Sequence, residues 1–197
     1  MTRSGVEPGP LRCARCGRFV DWEEARLQVV CECRPHLELP PVLVREATPD
    51  DRRAARPLFT SAERRAHVVA FGEGVSLDDA ETLVADTQGE IGGALAWRLR
   101  GGSFHIVAFA TDPMWQRAGV GGYLVAEAEL LARRRGCRDV VVTITNDNLP
   151  ALYFCQRRGY RITSVVLDRI PPGRGGRSAG FAGIPIRDEL HLTKVLS

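Results

Sequence analysis

The stretch Ala110-Thr-Asp-Pro-Met-Trp-Gln116-Arg-Ala-Gly119-Val-Gly121-Gly122-Tyr-Leu124 decides the fold of this chain. It joins a predicted strand, Ser103–Thr111, to a helix that begins at Gly122 and carries apolar residues at helical spacing. Glycines at the junction let the backbone turn sharply and leave the first amide groups of the helix open to a ligand. Because a helix N-terminus carries partial positive charge, this turn favours an anion such as pyrophosphate, and Arg117 adds to that charge.

The sequence matches neither the Rossmann dinucleotide-binding turn nor the P-loop. No G-x-G-x-x-G follows the first predicted strand, and there is no G-K-[ST]. The turn instead resembles the Q/R-x-x-G-x-G/A signature of the GNAT acyltransferases, through Gln116, Gly119 and Gly121. The end of the preceding strand, Thr111-Asp112-Pro113, is similar to that family as well.

A second segment strengthens the resemblance. Asn148-Leu-Pro-Ala-Leu-Tyr-Phe-Cys155-Gln-Arg-Arg-Gly159-Tyr160 is similar to the family's N-x-x-A-L-x-F-Y-x-x-x-G-F. The resemblance extends from Val42 to the C-terminus, and Gly183–Glu189 looks like a subgroup of the family. It implies acetyl-CoA as cosubstrate, held along a strand edge, by the glycine turn and by the downstream asparagine. The residues so implied are Ala110, Thr111, Gln116, Arg117, Ala118, Gly119, Val120, Gly121, Gly122 and Asn148.

The order of predicted elements is β-α-α-β-β-β-α-β-α-β-β. It indicates an α/β or α+β domain with a mixed sheet and helices on both faces, and the resemblance implies a mostly antiparallel sheet. Thr48 is the predicted N-cap of a helix or helix pair that runs from Asp50 to about Phe71. An antiparallel meander of three strands comes next, predicted at Thr82–Ala85, Ile91–Leu99 and Ser103–Thr111. The later predicted elements are a strand at Asp139–Thr145, a helix at Leu149–Arg158, and strands at Tyr160–Leu167 and Ile184–Val195. The Gly/Pro/Arg-rich segment 171–183 is predicted to be a loop.

Residues 1–40 are predicted to form a separate zinc-ribbon-like module and linker, and residues 41–197 the acetyltransferase domain. The module rests on Cys13-Ala-Arg-Cys16-Gly17 and Cys31-Glu-Cys33. Two close cysteine pairs can complete a tetrahedral shell for a structural Zn²⁺, with His36 as an alternate ligand. A redox dithiol is the other interpretation, but reduced thiols in the cytoplasm favour metal.

The composition excludes several classes of protein. The 197 residues are 44% hydrophobic and 26% charged, as expected for a globular protein, and the net charge of +3 is too small to indicate nucleic-acid binding. No apolar run is long enough to span a membrane, and the first ten residues lack the apolar core of a signal peptide. We therefore expect a cytoplasmic protein with no membrane association. The sequence does not determine the oligomeric state, and a homodimer is one of the alternatives.

Two residues are candidates for moving protons. His105 interrupts an apolar strand, and in the histone-acetylating branch of the family a catalytic glutamate holds the matching place. An imidazole with a pKa of about 6.5 suits removal of a proton from the acceptor amine, although a histidine on a strand can also be structural. The family's tyrosine acid falls on Cys155. That thiol could protonate the leaving thiolate, or it is buried and inert while solvent gives the proton. Tyr153 is the fallback, about 200° round the helix.

The sequence gives the least information about the acceptor substrate. Asp188 and Glu189 are carboxylates near the late strands, where the family receives its acceptor, and could bind a cationic amine. The leading hypothesis is an acetyl-CoA-dependent N-acetyltransferase acting on a small-molecule amine by direct attack in a ternary complex. One alternative is a protein acetyltransferase for a lysine or an α-amine that docks its target on the zinc module. Another is an acyl-CoA-binding regulatory module with weak catalysis, because the family tyrosine is missing.

Overall fold

The computed structural model describes most of the chain from residue 42 onward and two short strands before it. The described residues are 11–12, 19–20, 42–59, 67–116, 118–170 and 180–196. The chain divides into two compact units, Met1–Leu39 and Pro40–Ser197. In the first unit, strand β1 (Leu11–Arg12) pairs antiparallel with β2 (Phe19–Val20). The other described elements belong to the second unit.

The second unit is built around a seven-stranded mixed sheet with strand order β10-β11-β9-β8-β7-β6-β3. Its strands are β3 (Leu43–Glu46), β6 (Glu81–Asp86), β7 (Ile91–Arg100), β8 (Ser103–Thr111), β9 (Asp139–Thr145), β10 (Arg161–Val166) and β11 (Glu189–Val195). Every neighbouring pair is antiparallel except β8 and β9, which are parallel. The predicted mixed, mostly antiparallel sheet is therefore confirmed.

Helices cover both faces of this sheet. They are α1 (Pro49–Phe59), α2 (Val120–Arg134) and α3 (Leu149–Gln156). The predicted start of α1 is confirmed, because the Asp51 N–H donates to Thr48 Oγ1 at 3.2 Å and the Thr48 N–H donates to Asp51 Oδ2 at 2.8 Å. Alternation along β6 separates the two layers: Leu83 packs with the α2 side, and Val84 packs with Ala55 of α1.

The helical prediction between Asp50 and Phe71 is wrong in its second part. Helix α1 ends at Phe59, and a hairpin of β4 (His67–Ala70) and β5 (Glu73–Ser76) follows. Ala70 pairs with Glu73, so Phe71 and Gly72 alone form the turn, with φ of 55° and 70°. Both turn residues therefore lie in the left-handed region, as a type I′ turn requires, and the two-residue turn closes the strands directly.

Two other element boundaries differ from the predictions. Helix α2 begins at Val120 rather than Gly122, so Gly121 and Gly122 lie in its first turn. Strand β11 begins at Glu189 rather than Ile184. The chain before it is held differently: the Arg187 and Asp188 N–H groups both donate to Asn146 Oδ1, at 2.9 and 3.0 Å. These bonds occupy amide groups that a longer strand would pair with its neighbour.

Candidate active site

Strands β8 and β9 separate along their length and leave an opening in the sheet. Their paired residues end at Ile106↔Val142, although β8 continues to Thr111 and β9 to Thr145. On its other edge β8 stays paired with β7 as far as Thr111. Within the described residues, the β9-facing edge of 107–111 therefore has no strand partner. Ala110 and Thr111, the predicted edge residues, lie along this opening.

A β-bulge changes which side chains of β8 face the opening. Ala96 of β7 pairs with Ala108 and Trp97 pairs with Ile106, which leaves Val107 as the extra residue. Because the extra residue shifts the alternation of the strand, Ile106 and Phe109 face the same side. A regular strand would have placed Ala108 there. Nothing in the alternation of this apolar run indicated the bulge.

A small apolar cavity lies at the opening, on the face that carries α2 and α3. It is lined by Ile106, Phe109, Val125, Val142, Phe154, Cys155 and Tyr160. Burial raises the pKa of the Cys155 thiol to about 11. Proton transfer from such a thiol to a thiolate of ordinary pKa would be uphill by about 3 kcal/mol. Cys155 lines this cavity, but its environment disfavours the predicted acid role.

Tyr153, the fallback acid, is not among the residues that line this cavity. Its side chain is 63% exposed, and its hydroxyl accepts a hydrogen bond from Arg157 Nη1 at 3.2 Å. The pair lies on the solvent face of α3, one helical turn apart. The helix therefore presents Cys155 to the cavity and Tyr153 to water.

The glycine turn is built by close approach of α2 to β8. Gly119 is the N-cap, with φ of 88°, and its carbonyl accepts from the N–H groups of Gly122 and Tyr123 at 2.8 and 3.2 Å. A Cβ on Gly121 would lie 2.9 Å from Phe109 Cζ, so a side chain here would require the Phe109 ring to move. The N–H groups of Val120 and Gly121 belong to the first helical turn, which has no preceding turn to accept them. They can bind an anion.

Arg158 places a cation beside this turn. A Cβ on Gly122 would lie 2.8 Å from Arg158 Nη2. The guanidinium stacks 3.7 Å from the Phe154 ring centroid and donates to the Phe154 carbonyl at 3.3 Å. Sequence reasoning missed this residue, although it stands directly before Gly159 within the quoted motif. Arg117, the predicted cation, lies outside the described residues.

Of the remaining predicted cofactor residues, Gln116 and Ala118 belong to the same turn, whereas Asn148 lies at the start of α3. Gln116 is extended and ends the 3-10 turn Pro113–Trp115, and the Ala118 N–H donates to the Trp115 carbonyl at 3.2 Å. Asn148 is the N-cap of α3, where its Oδ1 accepts from the Ala151 N–H at 3.1 Å. The asparagine thus has a structural role in starting the helix that carries Cys155.

His105 lies on the opposite face of the sheet. It is adjacent to Ile106, whose side chain faces the cavity, so its own side chain faces the other way. Its ring centroid lies 4.3 Å from that of Phe71. Burial, reinforced by the charges of Arg98 and Arg100, lowers the pKa of His105. The imidazole is therefore neutral at neutral pH, but it binds a proton weakly.

Glu189 and Asp188, the predicted substrate carboxylates, have different environments. Glu189 is 2% exposed; its Oε1 lies 2.6 Å from His191 Nε2 and its Oε2 accepts from the Gly72 N–H at 3.2 Å. Asp188 accepts from the Asp168 N–H at 2.9 Å and from Arg187 Nε at 3.0 Å, and the first of these bonds is the main reason that its pKa is lowered. Asp188 fixes the chain before β11, whereas Glu189 shares a face with His105.

The predicted zinc ligands are not part of the described structure. Cys13, Cys16, Cys31, Cys33 and His36 all lie outside the described residues. Among the residues that are described, no group of three or more His, Cys, Asp or Glu side chains could hold a metal ion. In the same part of the chain, no helix is long and apolar enough to cross a membrane.

The chain belongs to the GNAT acetyltransferase family, whose model matches residues 22–160. It is 30% identical over 112 residues to YdhI of Bacillus subtilis, an uncharacterised protein, across 55% of this chain and 69% of that protein. Its fold is similar to that of an IAA acetyltransferase from Bacillus cereus, at 22% identity and a TM-score of 0.64, covering 79% of this chain and 100% of the other. A Bacillus subtilis acetyltransferase in complex with CoA is similar at 22% identity and a TM-score of 0.63, covering 80% and 100%.

Proposed function

We propose that this protein transfers the acetyl group of acetyl-CoA to a primary amine of a small molecule. The opening between β8 and β9 carries the proposal, because it connects two unlike faces of one sheet. One face has an anion-binding helix start, Arg158 and an apolar cavity. The other has two imidazoles and a buried carboxylate. The similar acetyltransferase from Bacillus subtilis was solved with CoA, which supports the assignment of the first face to the donor.

On the donor face, acetyl-CoA would supply an activated thioester. The first amides of α2 and the Arg158 guanidinium would hold its pyrophosphate, together with Gln116 and Arg117 of the same turn. The free backbone edge at Ala110 and Thr111 would receive the pantetheine arm, as the family resemblance implies. The apolar cavity beside Cys155 would exclude water from the thioester.

On the acceptor face, an ammonium group must lose a proton before its nitrogen can attack the thioester carbonyl. His105 and His191 are the imidazoles available there, and the sequence predicts His105 as the base. Glu189 supplies negative charge for a cationic amine. We favour a small acceptor because the Phe71 ring, 4.3 Å from His105 and 5.5 Å from His191, occupies part of this face. We assign protonation of the leaving thiolate to solvent rather than to Cys155.

Calorimetric titration with acetyl-CoA tests the donor face. We expect micromolar binding by the wild-type protein, strongly weakened in Gly121→Leu, whose side chain would displace Phe109. Gly74→Ala is the matched control, because a Cβ there meets nothing within 4 Å. Thermal melting of each variant separates loss of the site from loss of the fold. Absence of acetyl-CoA binding by the folded wild-type protein would refute the proposal.

Release of free thiol from acetyl-CoA tests the acceptor class. Butylamine, putrescine and phenethylamine represent small primary amines, and peptides with a free N-terminus or an internal lysine represent protein acceptors. Faster turnover of the small amines supports our proposal. A preference for peptides would instead support the protein acetyltransferase alternative.

An acyl-CoA-binding module with weak catalysis is a second candidate. The observation that favours it is Cys155, a buried and weakly acidic thiol at the family's tyrosine position. Acetyl-CoA binding without turnover of any amine or peptide would distinguish this function from an acetyltransferase.

We further propose that Cys13, Cys16, Cys31 and Cys33 bind one structural zinc ion, with His36 as an alternate ligand. Support comes from the spacing of the cysteine pairs. Metal analysis of the purified chain is expected to give about one zinc per chain, released by a strong chelator and by Cys13→Ser. Cys137→Ser is the control, since it should leave the zinc content unchanged. A metal-free wild-type protein would remove this part of the proposal.

A further inference from the structure

Glu189 and His191 form a buried carboxylate–imidazole pair on the acceptor face. The carboxylate is 2% exposed, and its partners are His191 Nε2 at 2.6 Å and the Gly72 N–H at 3.2 Å. Because an ionised carboxylate can only accept hydrogen bonds, Nε2 of His191 is the donor in this contact when Glu189 is ionised. The lone pair of the neutral imidazole is then on Nδ1. The imidazole side chain is 24% exposed, so a ligand on this face can reach it.

The pair lies next to the opening in the sheet. His191 pairs with Thr143 of β9, and Thr143 directly follows Val142, the last β9 residue paired with β8. Neighbouring strands are about 4.8 Å apart, so His191 is one strand from the opening and on the same face as Thr143. His105 borders the opening from β8. The ring of Phe71 contacts both imidazoles.

The two imidazoles have different neighbours. Burial and the charges of Arg98 and Arg100 act against a proton on His105. On His191, by contrast, a carboxylate oxygen of Glu189 lies 2.6 Å from Nε2. His105, a titratable group, also interacts electrostatically with His191, whereas Thr143 from β9, Ser164 from β10 and Phe71 from the hairpin carry no charge. The charged side chain of Arg169 lies beside Gly72 at the hairpin tip.

We propose that His191, oriented by Glu189, is the base that takes the proton from the acceptor ammonium, while His105 stays neutral throughout. This inference rests on the proposed acetyltransferase function. An N–H bond of the ammonium breaks as an N–H bond forms on Nδ1 of His191, and the freed lone pair attacks the thioester carbonyl. The C–S bond then breaks, and the second proton of the amine reaches the thiolate through solvent. His191 returns its proton to water. Glu189 is a positioning residue.

The test compares His191→Gln with His105→Gln, using acetyl-CoA and the most reactive amine of the panel above. We expect His191→Gln to lower kcat/KM for the amine about a hundredfold at pH 7, the size of a lost general base, with unchanged acetyl-CoA affinity. The deficit should shrink as the pH approaches about 10, because the amine is then increasingly deprotonated in solution. His105→Gln should lose less than about fivefold, without this pH dependence. The opposite pattern would overturn the inference.

Two further measurements separate chemistry from structural support. Added imidazole should restore part of the activity of His191→Ala, and failure of rescue in a folded variant would count against a base at this position. Nitrogen NMR of histidine-labelled protein, assigned with the two glutamine variants, should show the Nε2–H tautomer for neutral His191. In Glu189→Gln the side-chain amide can donate to Nε2, so the Nδ1–H tautomer should increase. An Nδ1–H tautomer in the wild-type protein would overturn the inference. Failure of the proposed function would be distinct, since the wild-type enzyme would then be inert in the same assay.

Discussion

The Arg158 guanidinium lies 3.7 Å from the Phe154 ring centroid and beside Gly122, in the first turn of α2. Stacking on the ring fixes a positive charge where the amides of α2 already favour an anion. A residue just beyond the C-terminus of α3 thus adds positive charge beside the N-terminus of α2.

Arg158→Ala should weaken acetyl-CoA binding about tenfold to a hundredfold, the value of a charge-assisted hydrogen bond. Arg157→Ala is a matched control, because Arg157 contacts the exposed Tyr153. Calorimetry at low and high salt measures both. The wild-type affinity should fall more steeply with salt than that of Arg158→Ala, because the variant lacks one ionic contact. Equal affinities for the two variants would exclude a role for Arg158 in cofactor binding.

Cys155→Ala should keep kcat within about threefold of the wild-type value. The reason is that burial raises the pKa of the thiol to about 11, which makes it a poor proton donor to a thiolate. The same burial should make Cys155 slow to react with maleimide in the native protein, and fast after unfolding. A loss of kcat above about a hundredfold in a folded variant would show that the thiol does act as the acid.

Glu129 is a buried carboxylate with two hydrogen-bond donors, and it should contribute strongly to the free energy of unfolding. It is 8% exposed, accepts from the Tyr160 hydroxyl at 3.2 Å and pairs with Lys194 Nζ at 2.7 Å. Glu129→Ala leaves both donors without this partner and should lower the free energy of unfolding by about 2–3 kcal/mol. Glu127→Ala, which loses a surface pair with Arg134, should cost less than about 1 kcal/mol. Urea denaturation measures both, and similar losses would contradict the prediction.

His105 should make the folded protein sensitive to acid. Its pKa is lowered in the folded state, so the unfolded chain binds more protons and stability falls as the pH drops below about 6.5. His105→Gln cannot take up a proton and should lose less stability than the wild-type protein between pH 7.5 and pH 5. Urea midpoints at the two pH values test this. Parallel losses in both proteins would show that other groups dominate the acid response.

The sequence predicted the consecutive strand, turn and helix of β8 and α2 better than the elements on the opposite face of the sheet. The strand, the glycine turn and the helix are consecutive, so their local signals determine their arrangement. Arg158 approaches Gly122 from a different helix, and such a contact leaves no local pattern. The β-bulge at Val107 also escaped prediction, because an apolar strand gives no alternation from which a shifted face can be recognised.

The hairpin after α1 shows a second reason for failure. Arginines and alanines before His67 favour helix, and the helical prediction was extended through them to Phe71. A Phe-Gly pair is not a typical type I′ turn, since asparagine or aspartate usually precedes the glycine. What holds the turn is distant in sequence: the Gly72 N–H donates to Glu189, and the Phe71 ring packs on His105. Local propensity cannot report such tertiary support.

Under the proposed function, the separation of β8 from β9 would give the two substrates independent routes to one reaction point. Donor and acceptor would then contact different side chains, because neighbouring residues of a strand face opposite sides of the sheet. Substitutions at the hairpin tip or on β11 can therefore alter which amine is chosen while the donor contacts remain intact. Under the proposed function, acceptor choice could diverge through changes confined to one surface, provided that His191 and Glu189 are retained.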